Sequence, residues 1–485
     1  MYKGLKQKTV SGLIWSFTDS LFGQGIQFVV GIVLARILSP HDFGLIGMLT
    51  IFIAISQSFI DSGFSQALIR KQDCSPTDYS TVFYFNMVIG IIFYLLLFVS
   101  SGAISSFFNE PQLKLLVRVL GLNLMLISFS IIQRTILTKE LNFRLQTRIS
   151  VVGSVGSGII AITMAYKGFG VWSLVALTLS KFGLTSLFLW IWSVWKPLWI
   201  FSRTSFKELF SFGSKLLVSG LIDTIYRNIY YFVIGKFFST VELGYYARAD
   251  QFQAIPSQSI TEIISRVSYP VLSSIRDDPI LLKSGYKKLI KSTMLISFLL
   301  MLGLAVIAKP MIITLIGEKW LPSAVYLQLL CFVGMLYPLH ALNLNMLNVQ
   351  GRSDLFLRLE IIKKILAVPI IVIGVIFGIK IMIMGMIVLS LIAYYINSYW
   401  SGKLINYPIG EQVRDIIPGF LMAVVVNVLV FIAGNLINTT PLVLLSLQIS
   451  LGALMTVGLC ELFKMQAYLY IKEIVFKKFQ KENSG

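Results

Sequence analysis

Charge is what this chain has least of. Only 13% of its 485 residues are Asp, Glu, Lys or Arg, whereas soluble domains carry about a quarter. Hydrophobic residues make up 56%, and the mean hydropathy is +0.81. So much apolar surface excludes a water-soluble globular domain. Histidine is scarce at 2 residues, and the 3 cysteines, Cys74, Cys331 and Cys460, stand far apart with no CxxC. Neither a disulfide framework nor a Cys/His metal site is expected. There is no GxxxxGK[ST] and no HExxH, so nucleotide-driven pumping and zinc chemistry lack their usual machinery. Lys3, Lys6 and Lys8 precede an apolar stretch that runs from Val10 to Leu38 without an A-x-A-like end. The first segment therefore reads as a spanning helix and not as a cleaved signal.

What the chain does have is apolar runs long enough to cross a ~30 Å hydrocarbon core, from one end to the other. They predict fourteen helices, over 11–36, 43–69, 81–107, 114–138, 146–166, 171–195, 209–236, 243–268, 288–314, 322–349, 356–378, 381–402, 416–437 and 441–463. The eighth is the most polar, with Gln251, Gln253, Gln258 and Glu262. The fold class is an all-α polytopic membrane protein. Most of the 41 Lys and Arg fall in alternate connections, and only Arg36, Lys114, Lys167, Lys236, Lys309, Lys319 and Lys380 fall on the opposite side. By the positive-inside rule the rich side is cytoplasmic and so are both termini. The net charge of +19 is thus mostly topology, and the tail Lys472 to Lys481 reads as an amphipathic stretch on an anionic leaflet, with no nucleic-acid role.

Ser39-Pro40-His41-Asp42-Phe43-Gly44 recurs as Ser239-Thr240-Val241-Glu242-Leu243-Gly244. Serine followed three residues later by an acid is a capping box that starts a helix. The shift of 200 residues also pairs Arg36 with Lys236 and Ser11 with Ser211, so the chain is an internal repeat. The halves are residues 1–200 and 201–405, each with six helices, followed by a pair of helices over 406–464 and a basic tail over 465–485. Parallel repeats of this kind place a substrate path between two bundles. Ser75-Pro76-Thr77-Asp78 is a further helix start. Gly153, Gly156 and Gly158 lie within a span, where small residues serve close helix packing.

Ionisable residues inside spans are the candidates for function, because each costs about 2.5 to 3.5 kcal/mol in hydrocarbon and must face a wet interior or a partner. They are Asp19, Arg118, Lys181, Lys215, Asp223, Arg227, Arg248 and Asp250, with Asp61 and Glu262 nearer the cytoplasmic ends. Arg118, Lys215 and Arg248 lie close enough to helix ends that snorkelling is an equal alternative. Asp19, Gly23 and Gln27 share one face of the first helix, and the repeat maps them onto Ser219, Asp223 and Arg227. Either Asp223 and Arg227 pair with each other at i,i+4, or the stripe lines a cavity and offers Arg227 to an anion. His340 is either a proton-coupling group or a hydrogen-bonded histidine within the bundle. The mild excess of base suits phosphate or pyrophosphate.

Ala35-Arg36-Ile37-Leu38 before the first capping box, Asp61-Ser62-Gly63-Phe64-Ser65-Gln66-Ala67-Leu68-Ile69-Arg70-Lys71-Gln72-Asp73, and Leu243-Gly244-Tyr245-Tyr246-Ala247-Arg248-Ala249 give the chain a family likeness. Pro256, Tyr269-Pro270-Val271-Leu272 and Gln350-Gly351-Arg352 extend it. The chain resembles the polysaccharide flippases of the multidrug/oligosaccharidyl-lipid/polysaccharide (MOP) exporter superfamily, especially the colanic-acid and teichuronic-acid branch. The resemblance implies a non-enzymatic flippase for undecaprenyl-pyrophosphate-linked oligosaccharide in a bacterial inner membrane. It also implies two lobes around a cationic cavity, with the last two helices beside it in contact with membrane lipids. No cofactor is implied beyond coupling to H+ or Na+, and a polysaccharide polymerase and assembly proteins are the partners. Only the basic lumen is carried over, onto Lys181, Arg227, Arg248 and Arg118. A multidrug or metabolite antiporter of the same fold is the alternative, and a membrane-embedded glycan polymerase is disfavoured by the short outer loops.

Overall fold

The computed structural model describes residues 22–473, and among these every regular element is helical. In order they are α1 (Phe22–Ile37), α2 (Pro40–Asp61), α3 (Phe64–Arg70), α4 (Pro76–Phe108), α5 (Leu113–Lys139), α6 (Phe143–Tyr166), α7 (Trp172–Trp192) and α8 (Arg203–Phe237). Then come α9 (Thr240–Ser274), α10 (Pro279–Ile316), α11 (Pro322–Gly334), α12 (Tyr337–Val349), α13 (Ser353–Phe377), α14 (Ile379–Leu404), α15 (Ile409–Leu436) and α16 (Pro441–Leu462). Taking α2 with α3 and α11 with α12 as single broken spans, the helices fall where the fourteen were expected. Ten of these spans are long and apolar enough by composition to cross a membrane. The chain is a multi-pass helical membrane protein. In hydrocarbon every backbone N–H and C=O must be paired within the protein, which is why helices are the element used. Asp19, Ser11, the amino-terminal lysines and the tail beyond Glu473 lie outside the described residues.

Two compact units divide at 244/245. In the first, α4 with α5 and α6 with α7 form tight hairpins, and α8 lies against α2, α3 and α4. The repeat boundary read from the sequence precedes α8, whereas packing groups α8 with the helices before it; register and packing are different properties. The connection between α7 and α8 is itself held down, since Ser80 and Thr81 hydroxyls accept from the backbone N–H groups of Leu198 (2.9 Å) and Ser202 (3.0 Å). In the second unit, α10 is central and contacts α11, α12, α15 and α16. Tyr286 of α10 donates to the Asn343 side-chain oxygen of α12 (3.1 Å), which also accepts from Ser401 of α14. That buried polar node ties three helices together.

The capping boxes at Ser39 and Ser75 form in full, and Ser239 caps α9 through its hydroxyl. Asp42 N–H donates to Ser39 Oγ (3.3 Å) while Ser39 N–H donates back to the Asp42 carboxylate (2.9 Å). Ser75 and Asp78 repeat the exchange at 3.2 and 2.9 Å, and Glu242 N–H donates to Ser239 Oγ at 3.1 Å. The two copies of the repeated motif also touch. A side chain at Gly44 would collide with the Thr240 carbonyl, and one at Gly244 with the Pro40 carbonyl. Pro40 and Thr240 are themselves related by the 200-residue shift, so the contact is reciprocal.

The breaks within spans were not visible in the apolar pattern. Ser62 and Gly63 adopt left-handed φ of 44° and 69°, ending α2. A Cβ at Gly63 would lie 2.5 Å from the Gly213 carbonyl oxygen, so α8 passes this corner at backbone distance. The α11–α12 break precedes Pro338, which cannot donate to a helical carbonyl. Ser297 of α10 donates to the Met335 carbonyl at 2.7 Å, within the break.

The reciprocal glycine contact predicts that Gly44→Ala and Gly244→Ala each destabilise the protein by about 1 to 3 kcal/mol through overpacking. Gly102→Ala, where nothing lies within 4 Å of the new methyl group, should be neutral or slightly stabilising. Thermal midpoints in detergent distinguish the two, and equal behaviour of all three variants would refute the contact.

Candidate functional site

The ionisable residues expected inside spans separate into engaged and exposed groups. Arg118 is engaged: its Nε donates to Ser101 Oγ at 2.9 Å, and its guanidinium stands 4.3 Å above the Phe98 ring, so α5 is fastened to α4. Arg248 is 7% exposed, donates to Gln251 and faces the buried Trp320 ring at 5.9 Å. Asp61, at the end of α2, accepts from the Ser65 hydroxyl (2.5 Å), which in turn accepts from Thr135 of α5 (3.2 Å). Glu262 lies 3.9 Å from Arg266 one turn on, and both are about half exposed. His340 Nε2 is 3.1 Å from Ser390 Oγ of α14. Asp250 and Lys181 are half-buried on α9 and α7.

The exposed group lies on α8. Ser211, Lys215, Ser219, Asp223 and Arg227 recur at every fourth residue, and all five are exposed. Side chains four apart lie one above another along a helix, so the five form a polar ridge about 24 Å long. Among the described residues, Lys215 and Arg227 make no hydrogen bond or ion pair. Arg227 is ten residues from the α8 end at Phe237, about 15 Å along the axis. In hydrocarbon an unpaired guanidinium requires water or an anion beside it. On α1 the matching positions Gly23 and Gln27 are half-buried and exposed, and Asp19 lies outside the described residues.

Two groups escaped the sequence reading. Glu110, in the short turn between α4 and α5, accepts from Thr240 and lies 3.2 Å from His41 Nε2. It joins that turn to the starts of α2 and α9, and no local pattern marks it because its partners are far away in sequence. At the opposite ends of the helices, Lys71 lies 3.1 Å from the buried Asp78 carboxylate and 3.0 Å from Glu208. The Glu208 hydrogen bond raises the Lys71 ammonium above its usual pKa, so α3, α4 and α8 are joined by a charge that stays on.

Residues 33–325 match the sequence model of the family described as polysaccharide biosynthesis protein. The teichuronic acid biosynthesis protein TuaB of Bacillus subtilis strain 168 is 29% identical over 357 residues, 72% of this chain and 73% of its own. The lipopolysaccharide biosynthesis protein WzxC of Escherichia coli K12 is 28% identical over 381 residues, 76% of each chain. Among solved structures, the lipid II flippase MurJ in its inward closed conformation superposes with a TM-score of 0.76 at 14% identity, covering 94% of this chain and 98% of that one. An inward-facing multidrug resistance MATE transporter of the MOP superfamily gives 0.64 at 18% identity, covering 81% and 98%. Identities this low speak for the fold. The match over more than half its length makes this chain a member of the polysaccharide biosynthesis protein family, built on the fold of the MOP-superfamily transporters.

Proposed function

We propose that this protein is a flippase that moves undecaprenyl-pyrophosphate-linked oligosaccharide repeat units from the inner to the outer leaflet of a bacterial inner membrane, for cell-surface polysaccharide. The observation that carries the reading is the exposed ridge on α8 with unpaired Arg227 about 15 Å from the helix end. An arginine held there without a partner costs about 2.5 to 3.5 kcal/mol unless an anion or water meets it. A pyrophosphate dragged through hydrocarbon faces the mirror-image cost, and bringing the two together offsets both. Arg227 is the first ligand and Lys181 the second, while Lys215 and the serines of the ridge serve the glycan. Transport by alternating access needs only that the two ends of this path open in turn. Family membership and the names of TuaB and WzxC support the same class of cargo.

In this reading the protein makes and breaks no covalent bond, both termini are cytoplasmic, and coupling is to H+ or Na+ through Asp223, Asp19, Asp61, Asp250, Glu262 or His340. A polymerase and assembly proteins receive the product. A multidrug exporter of the same fold is the weaker reading, because a cationic drug calls for unpaired acids where Arg227 and Lys215 stand.

Arg227→Ala and Lys181→Ala should each abolish surface polysaccharide while membrane insertion and thermal midpoint stay near wild type. Arg118→Ala should instead lower stability by about 1 to 2 kcal/mol, through loss of its hydrogen bond and ring contact. Full complementation by both Arg227→Ala and Lys181→Ala rejects the assignment. Deleting the gene should leave single lipid-linked repeat units on the cytoplasmic leaflet. Normal surface glycan with altered drug sensitivity would favour the exporter.

A further inference from the structure

The start of α10 carries more positive charge than its partners neutralise. Lys283, Lys287 and Lys291 follow one another at every fourth residue and meet Glu411 and Asp415, one turn apart on α15. Lys283 and Lys287 reach Glu411 at 2.9 and 2.6 Å, and Lys287 and Lys291 reach Asp415 at 3.2 and 2.9 Å. Three lysines against two carboxylates leave one charge over, and Lys288 adds another. Lys288 is exposed, has no carboxylate beside it among the described residues, and stands 5.9 Å from the Tyr470 ring. These groups border a cavity of about 890 Å³, large enough for a lipid headgroup with the first part of its chains. Its other walls combine the apolar side chains of Ile280, Leu404, Ile405 and Ala467 with the polar ones of Ser284, Asn406 and Gln466. Ser292, also on the lining, has a buried hydroxyl with no hydrogen-bond partner among the described residues.

Depth places this cavity at the membrane boundary. The 38 residues of α10 are about 57 Å long, well beyond a ~30 Å core, so its first turns project past the hydrocarbon. The 466–473 segment that supplies Tyr470 adds the kind of aromatic side chain that anchors at an interface. Surplus cations beside apolar side chains at that level fit one chemistry, an anionic phosphate attached to a hydrocarbon chain.

We propose that the cavity between the start of α10, the α14–α15 connection and the 466–473 segment is a binding site for a lipid phosphate, separate from the α8 ridge. Its occupant is either an anionic phospholipid of the surrounding leaflet or the polyprenyl pyrophosphate of the cargo. The Lys283–Lys287–Lys291 ladder with Glu411 and Asp415 holds the walls, and Lys288 and Ser292 are the groups left for the phosphate. The site itself requires retention and not movement, and only its assignment to cargo rests on the transport reading.

The test uses full-length protein in phosphatidylcholine nanodiscs doped with either phosphatidylglycerol or undecaprenyl pyrophosphate, with retained lipid counted by mass spectrometry. Lys288→Glu leaves the ladder intact and should weaken retention at least about fivefold, the effect of one basic residue near an anionic surface. Lys403→Gln, which removes an exposed lysine from the same unit but outside the cavity, should retain lipid as wild type does. Loss confined to phosphatidylglycerol assigns the site to leaflet lipid. Loss confined to undecaprenyl pyrophosphate assigns it to cargo, and loss of both assigns it to the phosphate they share. Wild-type retention by Lys288→Glu, or equal loss by Lys403→Gln, overturns the proposal. Thermal midpoints of both variants in detergent confirm that they are folded.

Discussion

The starts of α2 and α9 lie so close that backbone meets backbone, and that proximity tolerates only glycine at positions 44 and 244. Each helix presents its first-turn carbonyl, Pro40 or Thr240, to the glycine of the other. Because Ser39 and Ser239 cap the starts of these helices at defined residues, the crossing point is defined to within one turn. Glu110 then joins the α4–α5 turn to the same place through His41 and Thr240, and Lys236 donates to the Phe107 carbonyl beside it. The direction of α8, which reaches Phe237 just before the crossing, follows from that anchorage. So does the placement of its polar ridge.

A second constraint acts at every interruption. Without water, a broken helix must find new partners for the groups it frees. At Met335 a serine from α10 donates to the carbonyl, and at Ser62–Gly63 the left-handed turn comes with the close passage of α8 at Gly213. Charged residues obey the same rule. Arg118 and Arg248 are matched to a hydroxyl or amide and to an aromatic ring, and Lys283, Lys287 and Lys291 to two carboxylates. Among the described residues Arg227 and Lys215 are exposed and make no hydrogen bond or ion pair, and Lys288 faces only the Tyr470 ring.

Helix existence was legible because most spans reach the length the bilayer demands and several starts carry their own chemistry. Ser39 with Asp42 and Ser75 with Asp78 act within one turn, so three letters suffice to read them. The α8 ridge was legible for a related reason: its four-residue spacing is a helical property that needs no knowledge of neighbours. Even the polar α9, with Pro256 and Pro270 inside, forms one helix of 35 residues. The corner at Ser62–Gly63 lay hidden inside an apolar run, because the fit between Gly63 and Gly213 joins residues 150 apart. Arg118 and Arg227 look alike in the sequence, and only the hydroxyl of Ser101 and the ring of Phe98 separate the engaged arginine from the exposed one.

By itself the sequence determined that the chain crosses a membrane many times as helices, and that Ser39 and Ser75 start two of them. Both rest on interactions within a few residues or on the thickness of the bilayer. Only the tertiary structure decided which charges are spent on packing, which glycines mark backbone contact, and that the lysines of α10 border a cavity with the α14–α15 connection and the 466–473 segment. Those properties depend on which distant side chain arrives within about 3 Å, the reach of a hydrogen bond, and no local pattern encodes that arrival.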